Sequence, residues 1–228
     1  MKHLIFAATL FVSASVSAQI SVGASAGYTR AWQNYGDVVL PDDAVTHIHG
    51  FNSEVQVYYK LNRFISVGVE HGFVRRGAAC VPGWNGLINP NPIFPGDSRF
   101  LLDYVEAPLM IQGHFALLKE RFTIQSSLGY GWSVMVNGRE EVVNLETGEV
   151  EITRDMGIGE GTNLSRWDHG LHGSLKLGWQ FGKHEIFAQS SYYFGLKDAE
   201  AWNASKNRAL NFNLGYSFQL NGCTRKLQ

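Results

Sequence analysis

The sequence predicts an all-β fold, a single antiparallel up-and-down transmembrane β-barrel of eight strands after an N-terminal signal peptide. Three observations predict it. Segments of roughly ten residues or more alternate apolar and small polar side chains with period two, as strands with one apolar face do. The connections between them alternate short and long, the asymmetry of a barrel with tight turns at one rim and loops at the other. After residue 18 no apolar run approaches the roughly 18 residues a membrane-spanning helix needs, so any crossing must be made by strands.

Composition agrees with this reading. The 228 residues carry 19 basic and 20 acidic side chains, with no basic block to steer the chain onto nucleic acid. The 25 glycines, 13% aromatic residues and mean hydropathy of −0.11 fit a barrel whose polar lumen dilutes its apolar outer wall. Met1-Lys2-His3, the apolar run Leu4 to Val12 and the small residues ending Val16-Ser17-Ala18 have the layout of a secretory signal, giving a signal peptide at 1–18 and one barrel domain at 19–228.

The first strand places Ile20, Val22, Ala24, Ala26, Tyr28 and Trp32 opposite Ser21, Gly23, Ser25, Gly27 and Thr29. The second runs Phe51 to Leu61 and turns at Asn62-Arg63; the third follows from Phe64 to Phe73. The fourth spans about Phe100 to Phe115 and contains Pro108, which lacks a ladder donor. The fifth, Phe122 to Val136, alternates large apolar residues with serine and glycine at a spacing no helix would tolerate. The sixth, Gly170 to Phe181, turns through Gly182-Lys183-His184 into the seventh, Glu185 to Leu196, and the eighth runs Arg208 to Leu220. The long connections are Gln33 to Gly50, Ala78 to Arg99, Asn137 to Trp167 and Lys197 to Asn207, and Glu140 to Thr153 reads as a hairpin continuing beyond the membrane.

Three segments resemble the porin-type β-barrel family of outer-membrane proteins common in Bacteroidetes, related in architecture to the OmpA and OmpX barrels: Gly23-Ala-Ser-Ala-Gly27, Tyr104-Val-Glu-Ala-Pro-Leu-Met-Ile111 and Leu214-Gly-Tyr-Ser-Phe218. The middle one is the most specific, and in that family a proline occupies the same strand position as Pro108. The resemblance implies a fold and no particular activity. Barrels of this sort usually end at their last aromatic residue, whereas here Asn221 to Gln228 follow, which reads as a short periplasmic tail.

Strand parity puts Glu54, Lys60, Glu70, Glu106, His114, His172 and Lys176 in the lumen, where charges must be paired or hydrated. An eight-stranded barrel is only just wide enough for its own side chains, so a salt-bridged filling is expected ahead of a pore. Tyr28, Trp32, Trp132, Phe181, Tyr192 and Phe218 are expected in aromatic girdles at the two membrane interfaces. Asp168-His169 and His172 lie near Ser165 and Ser174, yet spacing alone assembles no nucleophile, base and acid. His47 and His49 lack further ligands at a recognised metal spacing, and Gly157 to Gly161 lacks the strand and helix of a phosphate cradle. Cys80 and Cys223 fall at opposite ends of the barrel and are expected as free thiols.

The resulting expectation is a non-enzymatic, monomeric protein of a Gram-negative outer membrane. It has no cofactor and no metal, membrane lipid surrounds it, and the barrel assembly machinery inserts it. Its loops, including Trp84, Trp167 and Trp202, would contact an outside ligand, or its lumen would pass small solutes. A lipid A modifying barrel and a soluble lipocalin-like periplasmic binder are the competing functions.

Overall fold

The period-two segments become ten strands in a computed structural model that describes residues 19–35, 45–80, 96–118, 121–144, 147–157, 164–200 and 205–220. They are β1 (Gln19–Tyr35), β2 (Val45–Thr46), β3 (Ile48–Lys60), β4 (Ile65–Cys80), β5 (Gly96–Leu117), β6 (Phe122–Asn144), β7 (Val150–Asp155), β8 (Trp167–Phe181), β9 (His184–Glu200) and β10 (Ser205–Gln219). The candidate signal peptide, Trp84, Trp202, Cys223 and the tail after Leu220 lie outside the described residues.

Eight of the strands pair antiparallel in the order β1-β3-β4-β5-β6-β8-β9-β10, and β10 pairs back onto β1, with Ala26 facing Leu214 and Tyr28 facing Phe212. The barrel is therefore closed and leaves none of these strands with a free edge. The remaining two lie at the loop rim, where β2 adds to β4 and β7 pairs with the upper part of β6.

Turn chemistry fixes the other rim. The Asn62 side-chain oxygen accepts hydrogen bonds from the backbone N–H groups of Phe64, at 2.8 Å, and Ile65, at 2.9 Å, which closes the β3–β4 turn. Gly182, at φ 68°, turns β8 into β9 in a conformation that an L side chain rarely adopts. Pro108 leaves its mark on the ladder: β4–β5 pairing passes from Val69–Leu109 to Gly72–Glu106, interrupted where the proline has no N–H to give. On its other side Pro108 still faces Gly131 of β6.

The strands overrun the sequence boundaries at the loop rim. β4 continues past Phe73 to Cys80, β6 past Val136 to Asn144, and β9 past Leu196 to Glu200, while β5 starts at Gly96 and β10 at Ser205. Alternation of hydropathy marks a strand only where one face is apolar and the other is not. Above the apolar band both faces are mixed, so pairing continues without that signature.

Side-chain partition is the reverse of a water-soluble barrel. Leu109, Ile111, Leu128 and Leu214 are 60–72% exposed on the outer wall, whereas Gln56, Gln112, Asn207, Thr29 and Asp168 are among the most completely buried side chains. A contiguous apolar exterior around a polar interior suits lipid and not water. Nor does the polar interior match the apolar cavity of a lipocalin-like binder.

Candidate functional site: the filled lumen and its rims

All seven predicted lumen charges lie on inward-facing strand positions, in layers stacked along the barrel. Nearest the turn rim is a polar cavity of about 260 Å³, lined by Lys60, Ser66, Gln112, His114, Lys176 and Glu185 among others. The Ser66 hydroxyl and the His114 ring lie 2.6 Å apart in its wall.

A middle layer closes this cavity from above. Gln56 is its hub: the amide donates to Glu54 at 2.7 Å and to Gln189 at 2.9 Å, while its oxygen accepts from the Lys176 ammonium at 2.7 Å. Glu54 also accepts from Ser25 at 2.8 Å, and Tyr58 donates to Glu70 at 2.5 Å. Glu185 accepts from Thr123, Gln125 and Ser217 at 2.6–2.9 Å. Lys176 is 4.4 Å from the centre of the ring of Phe187, which comes from the neighbouring strand β9. Gly215 leaves room for that ring, since a Cβ there would fall 2.3 Å from it. Charges this deep persist because nearly every one is hydrogen-bonded or paired.

The upper layer is built around Arg76, whose side chain is 1% exposed. Its guanidinium is paired with Glu106, donates to Ser133 at 3.1 Å and lies 3.8 Å from Asp168. It also stacks 3.6 Å from the Tyr193 ring centre and 5.2 Å from that of Tyr104. Asn207 donates to both Asp168, at 3.0 Å, and Tyr104, at 3.1 Å, tying β10, β8 and β5 together across the lumen. The His172 ring packs 4.9 Å from Tyr193, and its Nε2 has no hydrogen-bond partner among the described residues. Above this layer Val74, Leu102, Tyr104, Met135 and Leu164 form an apolar lid.

Arg76, Asp168, Glu185, Tyr104 and Tyr193 were not among the predicted lumen charges, although a signal for the first three was present. Arg76 lies six residues after Glu70 and Asp168 four before His172, each on the inward parity of its strand; Glu185 shares a face with Gln189. Hydropathy alternation stops at Phe73 on β4 and starts at Gly170 on β8, and Glu185 opens its strand beside a turn, so the apolar pattern does not reach these three positions.

The serine–histidine–aspartate grouping near residue 168 does not assemble. Asp168 points into the lumen, whereas His169 is on the outer wall with its Nδ1 2.9 Å from the Tyr130 hydroxyl. Ser165 donates to the carbonyl of Trp167 at 2.8 Å, and the buried Ser174 hydroxyl has no partner among the described residues. No group of three or more metal-ligating side chains occurs among the described residues.

The outer wall carries the predicted interface aromatics. Tyr28, Trp132 and Tyr192 are exposed toward the loop rim and Phe181 toward the turn rim, with Trp32 and Phe218 half-exposed. Trp32 and Tyr192 approach to 6.1 Å across the intervening strand β10. One step nearer the loops, the Arg30 guanidinium is 3.0 Å from His47 Nδ1, and His47 and His49 meet edge to face at 4.9 Å. Desolvation, together with the nearby charges of Arg30 and His49, holds the His47 ring below the ordinary histidine pKa.

No protein-family model and no curated protein matches the chain. Solved structures of outer-membrane proteins resemble it in shape. The attachment invasion locus protein Ail of Yersinia pestis, in complex with the heparin analogue sucrose octasulfate, is 16% identical over 88% of this chain and 99% of its own, with a TM-score of 0.39. The outer membrane protein OprG from Pseudomonas aeruginosa is 9% identical over 89% and 96%, with a TM-score of 0.47. The outer membrane protease OmpT from Escherichia coli is 12% identical over 89% and 95%, with a TM-score of 0.38.

Proposed function

We propose that this chain is an integral outer-membrane protein of a Gram-negative bacterium, a monomeric, non-enzymatic barrel that displays its loop rim to the outside and conducts little or nothing. The observation that carries this reading is the filled lumen. The Arg76 layer and the apolar lid close the loop end, so the 260 Å³ cavity is a vestibule reached from the turn rim. The Glu106 and Tyr104 side chains of the segment resembling the porin-type family are spent in that closure, which supports kinship in architecture rather than in transport. Membrane lipid surrounds the apolar band, and the assembly machinery reads the closing strand β10, whose outward face ends at Tyr216 and Phe218.

The function then belongs to the surface the barrel holds out. At about 3.3 Å per residue and a tilt near 45°, the 23 residues of β6 rise to roughly twice the ~25 Å height of an apolar band. Paired with β7, which is almost wholly exposed, β6 makes a rigid projection suited to contacting a partner outside the cell.

Single-channel recording of the refolded protein in planar bilayers tests this reading. The expected result is insertion, read from heat-modifiable gel mobility, without unitary current. Stable conductance steps from the inserted wild-type protein would show an open lumen and overturn it.

A further inference from the structure

Three consecutive strands of the wall, β1, β3 and β4, each point a cationic or titratable nitrogen group outward, just beyond the loop-side aromatics. β1 presents Arg30 two residues beyond Tyr28, β3 presents His49 two residues before Phe51, and β4 presents Arg75 two residues beyond Phe73. On β10, Arg208 faces Trp32 of β1 but is buried, 3.7 Å from the centre of the Phe194 ring, and takes no part in the exposed patch. The register makes these neighbours: Tyr28 is opposite Phe51, and Arg30 is opposite His49.

The charges are unevenly neutralised. Arg75 forms a two-pronged pair with Asp103, at 2.7 and 3.1 Å, and lies over the Phe51 ring. Arg208 donates to the backbone carbonyls of Gly195 and Asn207. Arg30 is exposed, has His47 as its partner and has no carboxylate within salt-bridge distance among the described residues. The result is an exposed guanidinium, Arg30, beside the His47 and His49 rings at the height where an aromatic girdle meets the headgroups, facing the membrane and not the lumen.

We infer that this patch, centred on Arg30 with His47 and His49 beside it, binds the phosphate groups of an anionic lipid in the outer leaflet. The inference rests on the outer-membrane reading. Charge, level and direction all fit that occupant: the side chains emerge from the apolar band where lipid phosphates lie, and the apolar wall beneath them accepts the acyl chains of the same molecule. The guanidinium of Arg30 offers the planar donor set that phosphate oxygens accept, and Tyr28, in hydrogen-bond contact with His49, fixes that ring beside it.

The test is lipid selection by the protein refolded into phosphatidylcholine nanodiscs containing a small fraction of bisphosphorylated lipid A. The lipid A retained per barrel is counted by mass spectrometry against its share of the bulk. The expected result is enrichment over bulk that disappears when the lipid A is dephosphorylated and survives millimolar inorganic phosphate. Arg30→Gln lowers the enrichment about fivefold, Arg30→Gln with His47→Gln lowers it further, and Arg30→Lys restores most of it. Bulk-ratio lipid A around an inserted wild-type barrel overturns the site alone, as does enrichment unaffected by Arg30→Gln or abolished by free phosphate. A protein that fails to enter the nanodiscs overturns the membrane reading and the site with it.

Discussion

Arg76 lies between Glu106 and Asp168 and over the Tyr193 ring, out of reach of water, so its charge and theirs exist only as a set. Replacing a buried pair wholesale is often nearly neutral, whereas removing one member leaves the others uncompensated, typically at about 3–5 kcal/mol. Arg76→Met is therefore expected to lower the urea midpoint of reversible unfolding in lipid vesicles by an amount in that range, with the slope of the transition unchanged. The triple variant Arg76→Met, Glu106→Gln, Asp168→Asn is expected to recover most of the loss, because no carboxylate remains to be balanced. A midpoint unmoved by Arg76→Met would mean that water reaches this layer and that the plug is open. At this scale the sequence was legible only where a strand was already recognised. Glu70 and Lys176 could be placed by counting parity from apolar neighbours, but Arg76 and Asp168 stand on stretches whose two faces are both mixed, where parity has no hydrophobic reference.

Strands that cross the apolar band were readable because lipid on one side and a packed polar lumen on the other force period two; β6 between Phe122 and Val136 shows this most clearly. Their continuation was readable only through turn residues: the hairpin about Glu146-Thr147-Gly148 was visible in sequence, whereas the two-residue β2 and the register shift between Asp103 and Tyr104 were not. Such a bulge re-aims side chains without changing composition, so it leaves no periodic trace. The projecting hairpin makes a prediction at the same scale. Arg154 on β7 is exposed and Arg139 on β6 is partly so, both above the apolar band, while Arg76 is sealed inside the barrel. Trypsin added to intact cells is expected to cut at the hairpin and leave the strands that cross the band as a protected, still heat-modifiable core. Complete resistance of the hairpin with the cells intact would place it on the inner side or beneath other material and would reverse the orientation proposed for the chain.

For the molecule as a whole, the decisive question is which solvent the outer wall meets, and substitution depth can answer it. Leu214 is 72% exposed and lies on β10 between Phe212, which faces Tyr28 of the loop-side girdle, and Tyr216 at the turn side. Leu220 is 49% exposed and sits at the turn rim, where its N–H donates to the carbonyl of Ile20. In water both leucines are surface residues, and arginine at either would change stability by no more than about 0.5 kcal/mol. In a bilayer they differ, because an arginine on the lipid face costs about 2–4 kcal/mol at the midplane and about 0–1 near the interface. Leu214→Arg is accordingly expected to destabilise the refolded protein by several times as much as Leu220→Arg, measured as midpoints of urea unfolding in vesicles of one fixed lipid. Equal and near-neutral effects would show that the wall faces water. The closed hydrogen-bond circuit of the eight strands would then describe a soluble barrel, and the filled lumen, with its charges drawn inward and its leucines turned outward, would be left without the solvent that explains it.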